Sequence, residues 1–263
     1  MEPVIEIEQQ PQNKPACSTC GVELGTGSRF CSNCGAIQKE IREEIPEHIF
    51  ELNARYLVVF YLVQLLTCLA VSAFDIFNDY RNLVWVEVFL AVFTLVFAGV
   101  NFRNILPLYS FRNLKVPLLL LCAACAIVAS AIVHYAVSWV NLTVFHKTLS
   151  YYPLYEPLQH GELVLFLSVA VYPALFEELE FRGIVYNYTE QAAGPTTAIW
   201  ISSMAFAIIH VNVLSLLWIV PFALVVGWLR NKYQTLWYDM IIHLCFNGTI
   251  CVFELFDAGY FHF

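Results

Sequence analysis

The polar residues of this chain are concentrated in its first fifth, and beyond them one apolar run follows another with only isolated polar points inside. A helix needs roughly 20 apolar residues to cross the hydrocarbon core of a bilayer. Runs near that length lie at 56–74, 83–100, 117–140, 162–188, 196–211, 213–228 and 236–256, the fifth and sixth being short and nearly continuous. The pattern predicts an all-α polytopic membrane helical bundle of about seven transmembrane helices.

The break near Arg55 sets the expected organisation: a disordered tail at 1–16, a small zinc ribbon at 17–37, an amphipathic linker helix at 38–55 interrupted near Pro46, a transmembrane domain at 56–256 and a tail at 257–263. The first apolar run begins late and lacks a short hydrophobic core with a cleavage site, so it is expected to be a retained anchor rather than a signal peptide.

Composition narrows the class. At 59% hydrophobic and 13% charged residues the chain is too apolar for a soluble domain. Its net charge of -8 excludes a basic nucleic-acid surface. Lys and Arg collect on alternate connections, at Lys39, Arg42, Arg55, Arg103, Arg112, Lys115, Arg230 and Lys232, which predicts a cytoplasmic N-terminus. The expected surroundings are membrane lipid.

Four cysteines before the first run are spaced as two Cys-x-x-Cys-Gly knuckles, Cys17 with Cys20 and Cys31 with Cys34. Zn2+ favours four thiolates in a tetrahedron, and a glycine after each second cysteine permits the left-handed turn that brings two sulfurs onto one ion. A cytoplasmic compartment keeps such thiols reduced, which argues against two disulfides. With four Cys ligands there is no open position, so the expected zinc is structural and the catalytic centre lies elsewhere. The ribbon also offers a surface for a protein partner. It resembles the short zinc ribbons that precede many bacterial membrane proteins, which implies a bacterial cytoplasmic membrane. Cys68, Cys122, Cys125, Cys245 and Cys251 fall inside apolar runs and read as small packing residues.

Ionisable side chains within a bilayer are costly and mark function. Three patches carry them: Glu177, Glu178 and Arg182; His210; and His243 with Asn247. Glu178 and Arg182 are four residues apart and can pair, while Glu177 lies about 100° round the helix and faces another neighbour. A buried Glu beside a His can activate water, and a His beside an Asn supplies donors for an oxyanion. Asn101, Asn212 and Asp239 read as helix caps.

Glu177-Glu178-x-x-x-Arg182, Phe206-x-x-x-His210 and His243-x-x-x-Asn247, in that order on separate runs, look like the three motifs of the CPBP family, also called Abi or CAAX-protease-like intramembrane proteases. The resemblance covers about 162–256. It implies a helical bundle around a water-containing cavity and hydrolysis of a peptide bond in a membrane-associated peptide or protein. By the same resemblance Glu177 is the catalytic glutamate, His210 helps it activate water, His243 and Asn247 stabilise the oxyanion, and Glu178 and Arg182 are the supporting pair. A zinc-dependent reaction at the same residues is the rival mechanism, leaving a catalytic metal open. A non-proteolytic immunity or binding protein and a proton-relaying transporter are the rival functions.

Overall fold

The computed structural model describes residues 16–17, 19–23, 33, 47–147 and 150–260. The chain divides into two units, Met1–Phe50 and Glu51–Phe263. In the first, Ala16 and Glu23 form an isolated antiparallel bridge, and the described residues contain no named strand. The amide of Cys17 donates to Val22 O (2.9 Å) and that of Gly21, at φ +73, donates back to Cys17 O (2.9 Å), closing a tight turn. Most of the predicted tail, Cys31, Cys34 and the linker as far as Pro46 lie outside the described residues.

The second unit is helical. Its elements are α1 (Glu47–Ala73), α2 (Tyr80–Val100), the single turn α3 (Phe102–Ile105), α4 (Val116–Val140), α5 (Gly161–Phe166), α6 (Tyr172–Glu178), α7 (Tyr186–Ala193), α8 (Pro195–Ile208), α9 (Leu216–Tyr233) and α10 (Trp237–Asp257). The end of the expected linker is continuous with the first span, because nothing between Glu47 and Ala73 breaks a helix. Asp79 starts α2 by accepting the Arg81 amide (2.9 Å), and Pro117 and Pro195 stand in the first turns of α4 and α8, where a missing N–H costs nothing. Gly194, at φ +89, makes the reversal between α7 and α8.

Helices stand at all seven expected runs, but they are unequal. Four segments are long and apolar enough to cross a membrane: Ala54–Ala73, Tyr80–Val100, Val116–Phe145 and Trp237–Asp257; Pro195–Ile208 is a shorter apolar helix. Large apolar side chains such as Leu66, Trp85, Val100, Leu120 and Ile132 are exposed on these helices. Water would penalise so much exposed apolar surface, whereas lipid solvates it. The chain is an integral membrane protein.

The fourth run is not one uninterrupted α-helix. α5, α6 and α7 are joined by two π-helical stretches, Leu167–Val171 and Leu179–Val185, so α6 is bracketed by widened turns. Its start is fixed by close contact: a Cβ on Gly161 would lie 2.2 Å from Tyr155 O. α10 packs on α4, α6, α9 and the first π stretch, while α8 packs on α7, α9 and the second. The motif-bearing segment thus sits between the two.

Candidate active site

Three carboxylates emerge from the end of α6 and the second π stretch, and each goes a different way. Glu180 turns toward α1 and α2, where Gln64 Nε2 donates to its Oε1 (2.6 Å) and the Thr94 hydroxyl donates to the same oxygen. Glu178 turns inward to Arg182, and the two are fully buried, with Oε2 3.3 Å from Arg182 Nε and Oε1 3.5 Å from Nη1. The 3.3 Å approach is an ion pair rather than an aligned hydrogen bond, since neither of its atoms has a hydrogen-bond partner. Glu177 turns to the cavity.

Arg182 is held on several sides. Its guanidinium lies 4.4 Å over the Phe206 ring and donates to Ala223 O (3.4 Å), and its own carbonyl accepts from Arg230 Nε (3.1 Å). Arg230, equally buried, also donates to Asn187 Oδ1 (2.7 Å) and Gln234 Oε1 (3.2 Å). Asp239, expected to cap a helix, instead points into this interior with both carboxylate oxygens buried and without hydrogen-bond partners. Asn212, likewise expected to cap, forms the turn ahead of α9, accepting the amides of Leu214 (3.0 Å) and Ser215 (3.3 Å), while Ser215 takes the N-cap position.

His243 lies between Glu177 and Glu178. Its Nδ1 meets Glu178 Oε1 at 2.7 Å and its Nε2 stands 4.0 Å from Glu177 Oε2. A carboxylate engaged by Arg182 is an acceptor, so Nδ1 carries the proton and Nε2 faces the cavity with its lone pair. His210 has the same disposition: Nδ1 donates to Phe206 O (2.8 Å), an oxygen that can only accept, leaving Nε2 open.

Counting along straight spans puts His210 and His243 at different depths. Both nevertheless reach one cavity: α8 ends at Ile208 and His210 lies on the turn beyond it, just before Val211 at φ +51, a left-handed conformation that is strained for a β-branched residue. The Phe206 ring then separates the two imidazoles, with centroids 4.8 Å from His210 and 5.8 Å from His243.

Glu177, His210, His243 and Asn247 line one cavity of about 420 Å³. Asn247 spends one amide N–H on Val169 O (2.8 Å), a carbonyl in the first π stretch, and keeps the other. Widened turns of this kind expose backbone carbonyls to side chains and recur at functional sites. Glu177 Oε2 is buried with no hydrogen-bond partner.

Residues 159–249 match the family of type II CAAX prenyl endopeptidase Rce1-like proteins. The Rce1-like segment contains all three polar patches and supports an intramembrane endopeptidase. Residues 17–37 match the zinc-ribbon domain. No curated protein and no solved structure gives a significant match to the chain.

The ribbon residues fit a thiolate-bound ion. The Thr19 amide donates to Cys17 Sγ (3.4 Å), and Asn33, from the middle of the second Cys-x-x-Cys, donates to Cys20 Sγ (3.7 Å), joining the two knuckles. Zinc held there by Cys17, Cys20, Cys31 and Cys34 would supply folding energy. In the Rce1-like segment, by contrast, no three His, Cys, Asp or Glu side chains converge as metal ligands among the described residues. The metal content follows: purified chain should carry about one zinc, and Cys17→Ser with Cys20→Ser should reduce it to near zero. Elemental analysis checks both, and a zinc retained by the double variant would point to a second site.

The sequence reading missed Gln64, Thr94, Ser168 and Glu254. Gln64 and Thr94 were signalled as lone polar residues in apolar runs. Ser168 shares a buried cluster with Tyr80 (2.6 Å) and Glu87 (3.1 Å). Glu254 lines the same cavity as Glu177 and His243, and its signal was its place three helical turns beyond His243.

Proposed function

We propose that the chain is an intramembrane endopeptidase in which Glu177 activates a water without a catalytic metal. The carrying observation is the buried, unpartnered Glu177 Oε2 on the cavity wall, 4.0 Å from the open Nε2 of His243. Glu177 takes a proton from the water as the water oxygen bonds to the scissile carbonyl carbon. His210 Nε2 accepts the water's second hydrogen bond and orients it. The charge that develops on the carbonyl oxygen meets the remaining Asn247 amide N–H. Collapse breaks the C–N bond, and Glu177 returns its proton to the leaving amine. Glu178 and Arg182 hold the ring of His243 from behind.

Exclusion of bulk water from such a site strengthens each of these interactions. The test is cleavage of membrane-anchored peptides by the purified full chain in liposomes prepared in 18O water. Products with one 18O in the new carboxyl terminus are expected, and Asn247→Ala should slow their formation about 10²-fold. No cleavage across a diverse peptide set would overturn the proposal.

A further inference from the structure

The catalytic cavity does not end at the catalytic groups. It follows one face of α10 from His243 past Asn247 to Glu254, which also lines it. Eleven residues separate His243 from Glu254, three turns of helix, so the two ends are about 16 Å apart at about 1.5 Å per residue. At the far end Glu254 is 6% exposed.

Its two oxygens have different surroundings. Oε2 accepts three hydrogen bonds, from the Ser150 hydroxyl (2.6 Å) and the amides of Tyr151 (2.6 Å) and Tyr152 (3.2 Å). These donors anchor the carboxylate and fix its plane. Oε1 has no hydrogen-bond donor among the described residues, and Glu254 lines the cavity. No Lys, Arg or His pairs with Glu254 among the described residues, and the nearby His134 is 3.3 Å from Asp257 instead. A buried carboxylate with no cation is an incomplete arrangement, since buried charges are ordinarily paired.

We infer that Glu254 is a substrate-recognition carboxylate, taking the cationic side chain of a Lys or Arg that lies about five residues from the bond being cut. The separation follows from an extended peptide, which covers 16 Å in about five residues at about 3.3 Å each. A charge-assisted hydrogen bond in a water-poor cavity discriminates strongly against a neutral side chain, whose binding leaves the carboxylate unpaired. This inference rests on the proteolytic reading of the same cavity and adds the class of peptide it accepts.

Glu254→Gln tests it, because Gln keeps an oxygen for the three donors while removing the charge. Membrane-anchored fluorogenic peptides carrying Lys, Gln or Glu at successive positions serve as probes. The wild-type chain in liposomes should cleave the peptide with Lys about five residues from the cut at least about 10-fold faster, as kcat/KM, than its Gln twin. In Glu254→Gln that ratio should fall to about one. Binding of the same peptides to Glu177→Gln, by fluorescence anisotropy, reads recognition without turnover: the Lys peptide should bind at least about 10-fold tighter, and the added Glu254→Gln should erase the difference. Equal binding of Lys and Gln peptides, or a Lys preference that survives Glu254→Gln, overturns the inference whether or not cleavage occurs. Lys-selective binding with no cleavage by the wild type would leave recognition standing and remove the proteolytic reading.

Discussion

Arg182→Met should destabilise the membrane domain by about 3–5 kcal/mol, enough to prevent its accumulation or to shift its unfolding in mixed micelles sharply. The substitution is close in volume and suits the apolar surroundings, so the loss comes from charge. Glu178 would be left buried without its guanidinium, and Arg182 is also the group over Phe206 and the donor to Ala223 O. Adding Glu178→Met should recover part of the loss by removing the stranded carboxylate. Recovery stays incomplete because His243 Nδ1 then loses its acceptor. Full stability in Arg182→Met alone would contradict the role given to this pair.

The logic of the domain is that a membrane protein cannot leave charge unsolvated, so the buried ion pair has to be built into the fold. The same pair fixes the ring of His243 and therefore the atom presented to Glu177. Stability and catalytic geometry share one set of contacts here, which is why Arg182 cannot be assigned to either alone.

The fold class and the helix positions were legible because lipid demands long apolar runs, and the runs fall where helices form. Glu178 with Arg182 was legible from four-residue spacing, which survives the widened turn after Glu178. The cluster around Glu180 was not legible, because its partners Gln64 and Thr94 lie on helices that local spacing cannot relate to it. The turn that carries His210 was silent for a backbone reason: the end of α8 at Ile208 and the left-handed Val211 carry no glycine or proline signal. The π stretches were likewise silent, since widening a turn changes backbone pairing and not side-chain pattern. Contact of one histidine with two carboxylates is a tertiary fact, so only the geometry could bring His243 to both Glu177 and Glu178.

The second large effect concerns Glu177. Its Oε2 is buried and has no hydrogen-bond partner, so Glu177→Gln breaks no hydrogen bond of that atom and should leave folding unaltered. It removes the proposed base, and loss of a general base costs about 10²–10⁴-fold in rate. The most direct measurement is therefore single-turnover peptide cleavage by wild type and Glu177→Gln in matched liposomes, with unfolding followed on the same samples. The expected result is a fall of about 10²–10⁴-fold in the cleavage rate with the unfolding midpoint unchanged. Cleavage by Glu177→Gln within a few-fold of wild type would contradict the assignment of Glu177 as the base that activates water.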